Sequence, residues 1–179
     1  LIVADATFET LAEGFRFTEG PTWHPVHRHV TFTDIPSSCI HRWHAGSGET
    51  EVLRDPSFMT NGTCYDRQGR LLMCEHESSR VTRLEDDGGI TVLADNWEGQ
   101  ELNSPNDIVV DAHDAIWFTD PLYGREAATG VVRDPGLPFR GLFRINADGS
   151  LDLIDDDYDG PNGLCFSPDR RRLYVNDSE

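Results

Sequence analysis

The sequence predicts an all-β fold of the β-propeller type, and three observations support this prediction. First, one pattern occurs four times: a polar residue, a short apolar strand, a turn rich in Pro, Asp or Gly, a second apolar strand and an acidic residue. Second, the polar residue recurs at intervals of 42, 45 and 56 residues, close to the length of a four-stranded blade. Third, no segment combines sustained 3.6-residue periodicity with helix caps.

The elements of each blade can be placed in order along the chain. The four copies of the pattern begin at Glu19, Asn61, Asn106 and Asn162 and end at Asp34, Glu75, Asp120 and Asp177. Two hairpins supply outer strands, with turns at residues 86–89 and 146–149 that carry the Asp-Gly signal of tight turns. The third interval exceeds the second by 11 residues, and the excess falls in residues 121–141. This Pro- and Gly-rich stretch is expected to be a long loop, either a lid over one face of the propeller or a tolerated insertion.

Composition excludes several classes of protein. The 179 residues include 15 Lys and Arg against 32 Asp and Glu, a formal net charge of −17, which disfavours binding to nucleic acid or anionic membranes. No run approaches 18 apolar residues, so no membrane span is predicted. The four cysteines, at positions 39, 64, 74 and 165, form no CxxC pair and are expected to be buried free thiols. Free thiols favour a reducing compartment and hence the cytoplasm, although the start at Leu1 leaves an N-terminal signal open.

The polar residue that opens each repeat predicts a shared site. Blades are arranged radially, so equivalent residues on innermost strands converge on the propeller axis. One carboxylate, from Glu19, and three amide oxygens, from Asn61, Asn106 and Asn162, would then meet in one space. Oxygen ligands of this kind suit a hard divalent cation. The alternative is that the asparagines only mark turns, but Glu19 occupies the equivalent position and has no comparable role in turns.

Three groups of short motifs carry a resemblance to a known family. Residues 19–23 (EGPTW), 103–107 (NSPND) with 118–121 (FTDP), and 161–164 (PNGL) with 167–169 (SPD) resemble the gluconolactonase family, which includes regucalcin and is related to the diisopropylfluorophosphatases. The resemblance implies a six-bladed propeller that hydrolyses sugar lactones with one catalytic divalent cation in its central channel. At about 45 residues per blade, the chain would cover between three and four blades. The single domain 1–179 is therefore expected to lack about two blades at its C-terminal end.

The resemblance also implies roles for individual residues. Glu19 and Asn162 match metal ligands, and Asn106 matches an asparagine that contacts the metal in some members and the substrate in others. Asn61 is expected to join Asn106 in binding substrate. The family's general base is an aspartate that would lie beyond Glu179, since Asp177 ends the second strand of its blade and stands at the wrong place in the repeat. Calcium is the expected ion, with Zn²⁺, Mn²⁺, Mg²⁺ and Fe²⁺ as alternatives.

Two other functions fit the same fold. One is hydrolysis of phosphotriesters or other esters, and the other is a non-catalytic propeller whose metal is structural and whose partner is a protein or a sugar. The expected partner under the main hypothesis is a small sugar lactone, and the sequence gives no oligomeric state.

Three weaker signals carry expectations of their own. Residues 155–160 read D-x-D-x-D-G, but Phe166 stands where an EF-hand requires Glu, so an acidic loop is expected. Residues 75–77 (EHE) end a strand, and a surface location is favoured over the channel mouth. Five histidines in the first blade are expected to face solvent without forming a zinc site: His24, His27, His29, His41 and His44.

Overall fold

The computed structural model describes residues 5–179 and shows three four-stranded antiparallel sheets followed by a two-stranded one. We call these sheets blades 1 to 4. Residues 1–4 of the predicted domain lie outside the described residues. Helical structure in residues 5–179 is limited to two 3₁₀ turns, at Ile35–Ser37 and Tyr123–Arg125. The prediction of an all-β chain covering between three and four blades is confirmed.

The strands follow one another in each blade in chain order. Blade 1 contains β1 (Thr18–His24), β2 (His29–Asp34), β3 (Cys39–His44) and β4 (Thr50–Arg54). Blade 2 contains β5 (Thr60–Tyr65), β6 (Leu71–Glu75), β7 (Arg80–Leu84) and β8 (Ile90–Ala94). After the short hairpin β9 (Asn96–Trp97) and β10 (Gln100–Glu101), blade 3 contains β11 (Ile108–Val110), β12 (Ile116–Asp120), β13 (Arg140–Ile145) and β14 (Leu151–Tyr158). Blade 4 contains β15 (Pro161–Phe166) and β16 (Leu173–Asp177).

The first strands of successive blades lie side by side, which is the arrangement that defines a propeller axis. The Gly62 N–H donates to the Asn106 carbonyl at 2.7 Å, joining blade 2 to blade 3. The Thr63 hydroxyl donates to the Gly20 carbonyl at 2.6 Å, and the Thr119 hydroxyl donates to the Asn162 carbonyl at 2.8 Å. Each blade is therefore tied to the next beside the residue that opens the repeat.

The largest part of the core lies between blades 2 and 3. Phe118 and Phe143 are fully buried there, with ring centroids 5.4 Å apart in a stacked arrangement. Leu72 and Ile108 pack in the same cluster. Burying these side chains contributes about 1.5–3 kcal/mol for each large apolar group. The packing fixes how the two blades are oriented around the axis.

The acidic segment 155–160 was predicted to be a loop, and that prediction is wrong. Residues 155–158 continue β14, the outermost strand of blade 3, and most of their side chains are exposed. Charged side chains are typical of such an edge, because they discourage pairing with another strand. No EF-hand loop forms at these residues.

The cysteines are all free, as expected, but only one is fully buried. Cys74 lies in the core, Cys39 and Cys64 are half-buried, and Cys165 is exposed. Cys165 was expected to be buried; it lies on a face of β15 that no other described segment covers. The structure therefore contradicts the expectation at this position.

No helix within residues 5–179 is long and apolar enough to cross a membrane.

Candidate functional site

The four residues that open the repeats line one cavity of about 200 Å³ at the axis. Glu19, Asn61, Asn106 and Asn162 all border this axial cavity, as the sequence predicted for symmetry-equivalent positions. They come from β1, β5 and β15 and from the segment that leads into β11. A carboxylate and three amides therefore meet where successive blades converge.

Glycine next to these residues permits the close approach. A Cβ at Gly20 would lie 2.2 Å from the Asn61 carbonyl oxygen, and a Cβ at Gly62 would lie 2.4 Å from the Asn106 carbonyl oxygen. Both neighbours are backbone atoms that have no room to move. Gly62 belongs to strand β5 rather than to a turn, so the repeated Glu-Gly and Asn-Gly pairs mark close packing of inner strands, and the turn alternative does not hold there.

The three asparagine side chains are joined in a line of hydrogen bonds. Asn61 Nδ2 donates to Asn106 Oδ1 at 2.7 Å, and Asn106 Nδ2 donates to Asn162 Oδ1 at 2.8 Å. Asn162 Nδ2 then donates to the Ser178 hydroxyl at 3.2 Å. An amide oxygen has two lone pairs, so the Asn106 and Asn162 oxygens each keep one for a ligand.

Glu19 brings a carboxylate that forms no salt bridge with a basic side chain of the described residues. None of the salt bridges within residues 5–179 involves Glu19, and its side chain is half-buried at the cavity. A carboxylate in this position favours a cationic ligand. Across the described part of the chain, no three His, Cys, Asp or Glu side chains are grouped to hold a metal ion, so any ion here would depend on the amide oxygens as well as on Glu19.

Asp107 is a second carboxylate at the axial cavity, and it was not among the predicted site residues. Its side chain accepts hydrogen bonds from the backbone N–H of Leu164 at 3.1 Å and of Ile108 at 2.9 Å. Burial raises the pKa of Asp107 above its ordinary value, although these two hydrogen bonds oppose the shift. The signal in the sequence was its position: Asp107 follows Asn106 where the other repeats have glycine.

Residues 121–139 form a fixed wall of a larger, adjoining cavity of about 410 Å³. Tyr123, Glu126 and Thr129 line it together with Glu19 and the three asparagines. Arg125, which is almost fully buried, holds the segment by donating to the carbonyls of Leu102 at 2.6 Å and Asn103 at 2.8 Å. The predicted long loop is confirmed over residues 121–139, whereas residues 140 and 141, which were predicted to belong to it, begin β13. Its contacts make it part of the cavity rather than an insertion apart from the site.

The acidic residue that ends the second strand of each repeat has a structural role in three blades. Asp34 accepts the backbone N–H groups of residues 16 and 17, Asp120 accepts those of residues 103 and 104, and Asp177 accepts those of residues 159 and 160. In blade 2 the equivalent Glu75 instead pairs with Arg54 at 3.0 Å and Arg80 at 2.6 Å. In blades 1, 3 and 4 the acid therefore fixes the segment that precedes the innermost strand.

Two of these acids, Asp120 and Asp34, differ in the direction of their pKa shift. Asp120 is fully buried, and the loss of hydration raises its pKa to about 7 despite the two N–H donors. Burial of Asp34 acts in the same direction, but hydrogen bonds from the Phe17 N–H, the Ser37 hydroxyl and the Arg16 N–H hold the pKa of Asp34 below its ordinary value. The same repeat position thus has opposite pKa shifts in blades 1 and 3.

The structure contradicts the surface location favoured for residues 75–77, because two of the three residues are fully buried. Glu75 and His76 have no exposed surface, while Glu77 remains exposed. His76 lies beneath the 121–139 wall, where its Nδ1 is 2.8 Å from the Thr129 carbonyl. Burial lowers the pKa of His76 to about 4, so the ring is neutral near pH 7.

The histidines of blade 1 were expected to face solvent, and for two of them this is wrong. His24 and His29 are buried, because Tyr65 from the next blade packs against both rings, with centroids 4.5 Å and 5.8 Å away. The His29 Nε2 lies 2.8 Å from the Tyr65 hydroxyl. His27 and His44 complete the group, whereas His41 lies apart, next to Phe32. The absence of a zinc site among them was also expected, and that expectation stays a prediction.

Comparison with known proteins matches most of the chain to one protein family. Residues 17–179 match the model of the family described as the SMP-30/gluconolactonase/LRE-like region. The chain is 30% identical over 187 residues to a gluconolactonase of Zymomonas mobilis, an alignment that covers 96% of this chain and 51% of that protein. The chain spans about half the length of the curated relatives it matches.

Two solved structures of similar proteins superpose on this chain. A gluconolactonase of Xanthomonas campestris superposes with a TM-score of 0.90 at 38% identity, covering 94% of this chain and 57% of that one. A regucalcin from Agrobacterium tumefaciens, described as a calcium-binding protein, superposes with a TM-score of 0.72 at 22% identity, covering 94% of this chain and 53% of that one. At that identity the second likeness shows the fold alone.

Proposed function

The chain belongs to the SMP-30/gluconolactonase/LRE-like family, and from this premise we propose that the whole protein hydrolyses a sugar lactone at the axial cavity. One observation carries the proposal: Glu19, without a cationic partner in the described structure, and three amides of different blades line one cavity. The relatives named above as gluconolactonases support this choice of substrate class. The larger cavity of about 410 Å³ is within the range that accommodates a small molecule such as a monosaccharide lactone.

We also propose that Glu19, Asn106 and Asn162 hold a divalent cation, with Ca²⁺ as the expected ion. The donor atoms fit such an ion because they are a carboxylate and amide oxygens, and no thiol or imidazole of the described residues lines the axial cavity. Bound there, the ion would supply a Lewis acid that polarises the lactone carbonyl. Zn²⁺, Mn²⁺, Mg²⁺ and Fe²⁺ are the alternatives, and of these Zn²⁺ fits least well without nitrogen or sulfur ligands.

The chain's own side chains would orient the substrate. The Asn61 oxygen accepts no hydrogen bond from another described residue, so it can accept one from a sugar hydroxyl. Asn106 is the expected second contact, and the 121–139 wall would limit how far the sugar extends from the axis. The proton acceptor for the attacking water is expected beyond Glu179, as the family resemblance implies.

The proposal is tested by base consumption in a pH-stat with the whole protein and glucono-1,5-lactone. We expect a rate above spontaneous hydrolysis that is lost with a chelator and restored by Ca²⁺. A rate that chelation does not change would contradict the metal site. No rate with the lactone, together with turnover of a phosphotriester, would favour the alternative ester chemistry.

The matched variants are Glu19→Gln and Glu49→Gln. Glu19→Gln removes the only anionic ligand of the proposed set and should lower turnover by about 100-fold or more. Glu49 is exposed and does not line the axial cavity, so Glu49→Gln should behave as the wild type. Unchanged turnover in Glu19→Gln would exclude this assignment of the metal site.

A further inference from the structure

The 121–139 wall contributes three polar side chains to the cavity of about 410 Å³: Tyr123, Glu126 and Thr129. Tyr123 begins the 3₁₀ turn Tyr123–Arg125, and the other two residues follow it in the same segment. Glu19 and the three axial amides line the same cavity. A molecule held there by the axial group would therefore meet these three side chains as well.

The hydrogens of the two wall hydroxyls are both committed to backbone carbonyls. The Tyr123 hydroxyl donates to the Gly160 carbonyl at 3.1 Å, and the Thr129 hydroxyl donates to the Tyr123 carbonyl at 2.7 Å. A hydroxyl has one hydrogen and two lone pairs, so toward a ligand each of these groups can only accept. An ionised carboxylate such as that of Glu126 has acceptor oxygens alone. All three side chains thus present acceptors to the cavity.

This polarity follows from the partners of the two hydroxyls. A carbonyl oxygen cannot donate, so in both hydrogen bonds the hydroxyl must be the donor. The axial amides differ, because each of them carries donor hydrogens as well as an acceptor oxygen. The wall is therefore the part of the cavity whose side chains select the donor groups of a ligand.

The segment that carries these acceptors is held at both ends by buried side chains. Asn103, which has no exposed surface, donates from Nδ2 to the Phe139 carbonyl at 2.8 Å. Ser104 is equally buried, and its hydroxyl oxygen accepts the Gly124 N–H at 3.0 Å. Both residues lie just before Asn106. The wall therefore presents its acceptors at fixed positions beside the axial group.

A sugar lactone offers the donors that such a wall requires, because hydroxyl groups are set around its ring away from the carbonyl oxygen. An alkyl group or a phosphate dianion offers no donor, and a phosphate would also meet the negative charge of Glu126. No Lys, Arg or His of the described residues lines this cavity, so a phosphate would find no cationic side chain there.

We propose that Tyr123, Glu126 and Thr129 are specificity-determining residues that accept hydrogen bonds from the hydroxyl groups of the lactone, so that the site selects an unphosphorylated polyhydroxy lactone. These roles rest on the proposed function and deepen it, since they assign the side chains that recognise the sugar and the substrates that those side chains exclude.

Tyr123→Phe tests one of these contacts, because it keeps the ring and removes the acceptor. The measurements are KM and kcat for glucono-1,5-lactone, with the whole protein at saturating Ca²⁺. A contact with a hydroxyl away from the reacting carbonyl stabilises the bound substrate and the transition state alike, so we expect KM to rise by about 5-fold with kcat unchanged. Tyr174→Phe, at a half-exposed tyrosine of blade 4, is the matched control and should leave KM unchanged.

An unchanged KM in Tyr123→Phe would overturn the proposal. A fall in kcat without a rise in KM would overturn it too, because the hydroxyl would then act only by tethering the wall to Gly160, two residues before Asn162.

Glu126→Lys replaces an acceptor with a cationic donor at a position whose side chain is exposed. We expect kcat/KM for the 6-phosphate of glucono-1,5-lactone to rise by about 10-fold or more, while kcat/KM for glucono-1,5-lactone falls. Glu49→Lys makes the same change of charge at an exposed site that does not line the cavity, so it should match the wild type on both substrates. If Glu126→Lys were no better on the phosphate than Glu49→Lys, the wall would not be what excludes phosphate.

The wild type separates this proposal from the proposed function. Absence of glucono-1,5-lactone hydrolysis in the wild type would count against the proposed function. Hydrolysis of this lactone and of its 6-phosphate with equal kcat/KM would leave the proposed function standing and overturn the specificity assigned to the wall.

Discussion

Two groups of polar side chains in this molecule differ in the blades that supply them and in the hydrogen-bond acceptors and charge that they leave without a partner among the described residues. The axial amide group, comprising Glu19, Asn61, Asn106 and Asn162, takes one member from each of four blades. The blade 1 histidine group, comprising His24, His27, His29 and His44, comes from one blade and is closed by Tyr65 of the next.

The difference supports the proposal that the axial group, rather than the histidine group, binds a ligand. At the axis, short side chains sit on tightly packed backbone, with amide lone pairs and an uncompensated carboxylate directed at one cavity. In the histidine group the rings pack on one another, and the His29 Nε2 meets the Tyr65 hydroxyl. Changes at the axis should therefore affect both stability and turnover, whereas changes in the histidine group should affect stability alone.

The largest effect is expected from Gly62→Ala. The new Cβ would lie 2.4 Å from the Asn106 carbonyl oxygen and 2.7 Å from the Asp107 Cα, so blades 2 and 3 would have to separate. Overpacking against backbone should cost about 3 kcal/mol in the free energy of unfolding. Because the same shift displaces Asn106, turnover should also fall, as measured by denaturant unfolding and by the pH-stat assay.

Gly46→Ala is the control for this prediction. A Cβ at Gly46 meets no atom within 4 Å, so the unfolding free energy should change by less than about 0.5 kcal/mol. If Gly62→Ala proved as harmless as Gly46→Ala, the close packing of inner strands would not be what holds the axial group in place.

The two groups also differ in how far the sequence could predict them. Four repeats with a polar residue at one position were enough to place the axial residues together, since radial symmetry brings equivalent positions to one axis. Tyr65 burying His24 and His29, and residues 121–139 covering His76, are contacts between non-equivalent positions. No periodicity encodes such contacts, so the sequence suggested exposed side chains for all three histidines. Asp107 was missed because it departs from the repeat where glycine is usual.

A smaller effect is expected from Tyr65→Phe. The hydroxyl lies 2.8 Å from His29 Nε2 and 2.6 Å from the Thr31 hydroxyl, and both partners are buried. Its removal should cost about 1–2 kcal/mol of unfolding free energy, because two buried polar groups lose their partner. Turnover should be unchanged. Tyr174→Phe, at a half-exposed tyrosine of blade 4, should be neutral in both measurements. A fall in turnover with Tyr65→Phe would show that a change in the histidine group alters the axial cavity.

The smallest effect concerns the pH dependence of stability. Burial, reinforced by the charge of Arg42 and by His24, His44 and His27, lowers the pKa of His29 to about 4. The pKa of a histidine in the unfolded chain is about 6.5. Between pH 6.5 and pH 4 the unfolded state therefore binds a proton that the folded state does not bind. The free energy of unfolding falls as the pH falls through this window. Asp120, with a pKa of about 7, contributes with the opposite sign, but it is present in every variant compared.

His29→Gln should therefore show a smaller drop in Tm between pH 7 and pH 5 than the wild type, whereas the exposed-site variant His113→Gln should match the wild type. Parallel curves of Tm against pH for His29→Gln and the wild type would mean that His29 is protonated as readily in the folded chain as in the unfolded one. The histidine group would then be open to water, and the contrast with the axial amides would rest on geometry alone.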